Sequence, residues 1–275
     1  MDIQLIDTGF FHADGGAMFG TIPKTAWSRR YPSDEQNGCI LAMRTLLVRD
    51  GNGKIVLVDN GAGNKHLKQL SYYNFFDLVD LKEELQRRGV ACEEVTDIIL
   101  THLHFDHCGY TTQKEEQPDG KPLFKMAFPN ATHWVSRTQW ENFLHPNALE
   151  ADSYFIENMQ ATYDSGKLRL IESDTNLCPG IDLRLFDGHT PGQIAPYITT
   201  PERTYVFAGD VIPLAASVSP LWISAYDTCP VVSYNEKVRM LEEATLKKQA
   251  IIYCHDAYTP VSYTHLRAHE TCADL

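Results

Sequence analysis

No run in this chain approaches the roughly 18 consecutive apolar residues that a membrane-spanning helix needs. The N-terminus, Met1-Asp2-Ile3-Gln4-Leu5-Ile6-Asp7, carries an acid where a secretory signal needs Lys or Arg. A cytoplasmic protein without a membrane partner is the expectation. Basic charge is scarce too: 24 Lys and Arg stand against 36 Asp and Glu, a net charge of −12, with no basic patch. That balance repels phosphate backbones, so no nucleic-acid partner is expected. The seven cysteines are odd in number and form no C-x-x-C pair, which reads as free thiols in a reducing compartment. The G-x-S-x-G elbow of serine hydrolases is missing as well. No repeat, low-complexity tract or linker interrupts residues 1–260, which are therefore read as one domain.

Residues 261–275 read differently. From Val261 to Thr271 the chain resembles, residue for residue, the translation of the transposon-end adapter used in short-read sequencing libraries. The tail is expected to be an assembly artefact that displaces the authentic continuation after about Pro260. His265-x-x-x-His269 has the spacing of a helical zinc pair, yet it falls inside that tail. One Arg and two acids leave with it, so the rest still carries −11.

What the chain does have is apolar strands that end in polar residues. Ile40 to Val48 and Lys54 to Val58 flank Asp50-Gly51-Asn52-Gly53, which has the chemistry of a tight hairpin turn. Leu78, Leu81 and Leu85 recur at helical spacing up to Gly89, and Asp97 to Leu100 reads as a short buried strand. Further strands are expected at 168–171, 181–186, 194–199, 204–208 and 250–254, with a helix over about 235–248. Two groups of strands, each closed by helical segments, predict two sheets with helices outside.

The densest chemistry is Thr101-His102-Leu103-His104-Phe105-Asp106-His107, directly after Ile98-Ile99-Leu100. Imidazole and carboxylate are the donors that suit zinc and its neighbours, and so short a loop supplies more of them than one tetrahedral ion uses. His189, Asp210 and His255 each follow an apolar strand, where sheet geometry brings distant segments together. The order Asp59, H-x-H-x-D-H at 102–107, His189, Asp210 and His255 resembles the metallo-β-lactamase superfamily across nearly all of residues 1–260. The resemblance implies a four-layer αββα sandwich of two mixed sheets and two divalent metal ions per chain, zinc first, with iron and manganese open. It assigns His102, His104 and His189 to one ion, Asp106, His107 and His255 to the other, and Asp210 to both. Asp59 would orient a ligand from behind. Cys108 and Cys254, next to ligands, read as buried small hydrophobes.

A second resemblance is narrower. His12-Ala13-Asp14-Gly15-Gly16-Ala17-Met18-Phe19-Gly20, with Ile22-Pro23-Lys24 and Trp27, is similar to a segment of the YtnP-like quorum-quenching lactonases, as are Leu221 to Asp227 and His255 to Tyr258. Met18, Phe19 and Trp222 are the expected walls of an acyl-chain pocket. Gln193 departs from that branch, which carries a second His there.

Together these imply a metallo-hydrolase that opens a lactone or small carboxylic ester, with an N-acyl-homoserine lactone the most specific candidate. A hydroxide bridging the two ions would attack, and Asp106 would relay a proton to the leaving alkoxide. Four alternatives stay open: a glyoxalase-II-type thioesterase, a phosphodiesterase or RNA nuclease, a non-catalytic metal-binding protein, and a di-iron redox domain. Acidity weighs against the nuclease. His104, where di-iron relatives have Glu, weighs against the redox domain. The expected partner is the small-molecule substrate, with oligomeric state open, a dimer included.

Overall fold

The computed structural model describes residues 1–263. The chain divides into two compact units, one from residues 1–10 and 43–173, the other from 11–42 and 174 onward. It changes unit inside strands β1 (Asp2–Asp14) and β2 (Gly38–Arg49), and again between Ser173 and Asp174 in a short connection without Pro or Gly.

The first unit also contains β3 (Ile55–Val58), β4 (Asp97–Ile99), β5 (Thr112–Glu116), β6 (Pro122–Met126), β7 (Thr132–Ser136) and β8 (Leu168–Ile171). Its main sheet has the order β1-β2-β3-β4-β7-β8, while β5 and β6 form a separate hairpin that the sequence reading missed. The β2–β3 hairpin forms where its turn chemistry put it, with Leu46 opposite Val58 and Arg49 opposite Ile55. Asp50 Oδ1 accepts from the N–H groups of Asn52 (2.7 Å) and Lys54 (2.9 Å), closing the turn. Strands β3, β4, β7 and β8 are parallel neighbours, so their crossovers carry helices. Leu81 and Leu85 of the helix Leu81–Arg87 join Leu57, Ile98 and Val135 in one core. That helix starts after Leu78, because the Asp80 carboxylate caps the N–H groups of Lys82 and Glu83.

The second unit adds β9 (Thr175–Cys178), β10 (Ile181–Phe186), β11 (Gln193–Thr199), β12 (Thr204–Phe207), β13 (Ala250–Ile252) and β14 (Val261–Tyr263), in the order β14-β13-β12-β11-β10-β9. Only β12 and β13 run parallel, and the helix Pro230–Leu246 lies in the connection between them. It begins five residues before the expected start, at a proline suited to a first helical position. Met240 and Ala244 from its inner side pack with Tyr197, Val206 and Ile251. The expectation of two mixed sheets with helices is met.

Of the tail read as foreign, Val261–Tyr263 pairs antiparallel with β13. Edge pairing uses backbone N–H and C=O groups and accepts almost any sequence without proline. Residues 264–275, with His265 and His269, lie outside the described residues. Among the described residues, no helix is long and apolar enough to cross a membrane.

Candidate metal centre

In the first unit, the chain leaves β4 at Ile99 and turns through Thr101 to His104 into the short helix Phe105–Cys108. His102, His104 and His107 are 0%, 8% and 2% exposed. Their rings lie close, with centroids 4.5 Å apart for His102–His104 and 4.0 Å for His102–His107. Asp106 Oδ2 stands 3.7 Å from His107 Nε2.

Asp59 organises this loop from behind. It follows β3 with φ +56°, a left-handed conformation that a non-glycine residue keeps only where its surroundings enforce it. Its N–H donates to the Ile99 carbonyl (2.9 Å), and its carboxylate accepts from Thr101 N (2.7 Å) and Thr101 Oγ1 (2.8 Å). It also faces His107 Nδ1 at 2.8 Å. Burial pushes the Asp59 carboxyl up against the pull of His107 and Thr101. The loop is bolted down further along, where Asn60 N donates to His107 O (2.8 Å) and Asn60 Oδ1 accepts from Tyr110 N (2.8 Å). Gly109 makes that approach possible, since a Cβ there would lie 2.0 Å from the Ala62 carbonyl oxygen.

Donor counting fixes ring orientations. Thr101 Oγ1 gives its proton to Asp59 and so accepts from His102 Nδ1, 3.1 Å away. His107 likewise engages its carboxylate through Nδ1, whereas His104 does so through Nε2, which faces Glu150 Oε2 at 3.0 Å. Asp59 was anticipated from sequence, Glu150 was not.

The second unit brings its three expected residues together. His189 Nε2 lies 3.2 Å from Asp210 Oδ2, and His255 Nε2 lies 3.2 Å from Asp210 Oδ1. One carboxylate thus meets two imidazoles, one on each oxygen. Behind them, His255 Nδ1 donates to the Ala42 carbonyl (2.7 Å) and His189 Nδ1 to Asp227 Oδ1 (3.0 Å). With Nδ1 protonated, each neutral ring keeps its Nε2 lone pair directed forward. Cys254 Sγ is 3.1 Å from Asp210 Oδ1, and burial pushes its thiol up, so it stays protonated.

Three supporting residues here escaped sequence reasoning. Asp227 fell within a segment noted for resemblance, without a role. Glu236, on the helix Pro230–Leu246, accepts from Asp187 N (2.9 Å) and Gly188 N (2.9 Å), fixing the backbone just before His189. Gln193, oriented with its amide oxygen toward the Asp210 loop, accepts from Val211 N (3.1 Å) and Asp210 N (3.2 Å). The departure at Gln193 therefore supports the Asp210 backbone.

Each unit by itself offers donors that fit divalent ions of the zinc type: His102, His104, Asp106 and His107 in the first, and His189, Asp210 and His255 in the second. Comparison with known proteins agrees: residues 44–110 match the metallo-beta-lactamase superfamily. That stretch resembles a metallo-beta-lactamase domain. Over 174 residues it is 26% identical to an N-acyl homoserine lactonase of Bacillus thuringiensis, a match covering 62% of this chain and 58% of that protein. A lactonase of Bacillus cereus matches at 24% over the same length. The matched stretch therefore spans little more than half of these curated relatives. Among solved structures, a probable metal-dependent hydrolase from Staphylococcus aureus aligns with a TM-score of 0.87 and 29% identity, covering 94% of this chain and 91% of that one. The dizinc quorum-quenching lactonase AidC shares the fold at a TM-score of 0.74 and 19% identity, covering 95% and 90%.

The chain buries its N-terminal segment more fully than expected. Met18, Phe19 and Trp222, read as walls of an acyl pocket, are 4%, 0% and 3% exposed. Phe19 stacks on Trp27 (centroids 5.0 Å) and meets Trp222 edge-on (5.8 Å), and the Arg30 guanidinium lies 4.6 Å from the Trp222 ring. Phe19, fully buried, packs as core, with Met18 and Trp222 nearly as enclosed. Aromatic area outside a metal loop is ambiguous from sequence, because the same residues suit a wall and a core.

Lys237, buried on the helix Pro230–Leu246, ties down the loop that carries Trp222 by donating to Ser217 O (3.1 Å) and Trp222 O (2.8 Å). Burial lowers its pKa to about 8, partly offset by Asp227. Between about pH 8 and the ordinary lysine value the folded state is deprotonated and the unfolded state is not, so stability from this group rises with pH through that window. Urea unfolding at pH 7.5 and 9.5 is expected to show the wild type gaining on Lys237→Met at the higher pH. An equal gap at both would refute it.

Proposed function

We propose a dinuclear metal centre, with the ligands that the superfamily order of residues assigns, that hydrolyses a lactone or small carboxylic ester, an N-acyl-homoserine lactone being the most specific candidate. The observation that carries this reading is the placement of two imidazole Nε2 atoms, each 3.2 Å from its own oxygen of Asp210. A carboxylate so flanked suits a bridge between two cations. The order of residues shared with the superfamily assigns His102, His104 and His189 to one ion, Asp106, His107 and His255 to the second, and Asp210 to both. The relatives' lactonase activity supports the substrate class.

When bound, the two ions supply carbonyl polarisation and a nucleophile at neutral pH. The chain's own groups do the rest. Asp59 and Asp227 hold the His107 and His189 rings so that Nε2 points forward. Gln193 and Glu236 fix the backbones that carry Asp210 and His189. Asp106, whose carboxylate is 11% exposed, delivers a proton to the leaving alkoxide oxygen and yields the ring-opened hydroxy acid. Zinc is the proposed metal, and the same donors accept iron or manganese. The function is assigned to residues 1–260, with 261–275 proposed as foreign; long-read sequencing of the locus is expected to give another continuation.

Metal analysis after exhaustive dialysis, combined with lactones, thioesters and phosphodiesters as substrates, tests the reading. Two ions per chain and preferential lactone opening are expected. One tightly held ion in active protein would defeat the dinuclear centre. Rapid cleavage of a glutathione thioester with no lactone opened would install the thioesterase instead.

A further inference from the structure

Glu150 is 4% exposed and lies in a loop with no metal-binding motif around it. Both of its oxygens meet donors. Oε1 accepts from Asn142 Nδ2 (2.8 Å) and Asn147 Nδ2 (2.6 Å). Oε2 accepts from the Tyr154 hydroxyl (2.8 Å) and faces His104 Nε2 (3.0 Å). Tyr154 in turn accepts from Asn142 Nδ2 (3.0 Å), and its one proton lies between Glu150 Oε2 (2.8 Å) and Gln139 Oε1 (3.0 Å), the shorter contact being to the carboxylate.

Three donors independent of the ring, from Asn142, Asn147 and Tyr154, surround the two oxygens, which is the setting of an ionised carboxylate. Such a group only accepts, so the hydrogen between it and His104 belongs to Nε2 of the imidazole. A neutral ring with Nε2 protonated keeps its lone pair on Nδ1. The carboxylate is therefore aimed at one tautomer of one histidine, and three side chains from the 142–154 segment hold it there.

Resting on the metal-centre reading above, we infer that Glu150 is a positioning residue for His104: it selects the tautomer that presents Nδ1 to the metal and holds the ring in place. Asn142, Asn147 and Tyr154 belong to the device because they keep the charge ionised and oriented. Removal of a group behind a metal ligand typically weakens metal binding by about 10–100-fold.

The test compares the wild type with Glu150→Gln, Glu150→Leu and Tyr154→Phe, by zinc titration against a chromophoric chelator. Nitrogen-15 NMR of the imidazoles in zinc-loaded protein supplies the tautomer. Wild-type His104 is expected to show a proton on Nε2. Zinc binding at one of two sites is expected to weaken about 10–100-fold in Glu150→Leu, less in Glu150→Gln, and least in Tyr154→Phe. Thermal melts of the metal-free proteins separate this from misfolding, and the two milder variants keep the test readable if Glu150→Leu does not fold. Unchanged zinc affinity in folded variants, or a His104 proton on Nδ1 in the wild type, overturns the inference. Wild type that binds no zinc removes the metal centre and this inference with it. Wild type that binds two ions yet opens no lactone removes only the substrate assignment, and the Glu150 titration then stands by itself.

Discussion

Replacing Asp210 with alanine is expected to remove metal and turnover together. Its two oxygens meet His189 Nε2 and His255 Nε2 at 3.2 Å each, and no other described residue of the second unit presents one carboxylate to two imidazoles. Loss of the shared ligand affects both proposed ions at once, so kcat/KM is expected to fall by at least about 10³, or about 4 kcal/mol of transition-state stabilisation. Asp227→Asn provides the contrast: it disturbs only the back of His189, where a loss of about 10–100-fold in metal affinity is the usual scale. Metal content by elemental analysis and lactone hydrolysis on the same preparations give both numbers. An alanine variant that keeps two ions and wild-type turnover would eliminate the bridging role.

Phe19→Ala is expected to cost about 3–5 kcal/mol of folding stability, the range for emptying a buried aromatic site. Phe19 is fully buried and touches Trp27, Trp222 and Tyr31, with ring centroids 5.0, 5.8 and 6.1 Å away. The segment around it cannot collapse easily into the space. Gly15 is already so close to Trp27 that a Cβ would lie 2.3 Å from the ring, and Ala17 O is held by Ala225 N at 2.8 Å. Urea denaturation of the metal-free protein measures the cost. A loss below about 1 kcal/mol, accompanied by a KM that rises only for long acyl chains, would return Phe19 to the pocket wall from which the structure removes it.

The hairpin at Asp50–Gly53 and the strand before His102 were readable because their signals are local. A turn needs particular residues at adjacent positions, and a buried strand shows as a short apolar run. Helix limits were less readable. Asp80 ends the reach of the Leu78–Leu81–Leu85 pattern by capping, and Pro230 starts a helix that apolar spacing alone placed five residues later. The units were invisible because the chain passes between them twice within strands, β1 and β2, and once at Ser173–Asp174 through a connection too short to read as a linker.

The candidate metal donors were likewise legible, for a chemical reason: imidazoles and carboxylates stand at the ends of apolar strands. Their orientation was not. Forty-six residues separate His104 from Glu150, 38 separate His189 from Asp227, and 48 separate Gly188 from Glu236. Residue type and short spacing, which the sequence states directly, determine what could bind a metal. Which nitrogen faces forward depends on a polar group returned by a distant segment, and which aromatic is core depends on how tightly its neighbours close. Both follow from packing, so only the tertiary structure decided them.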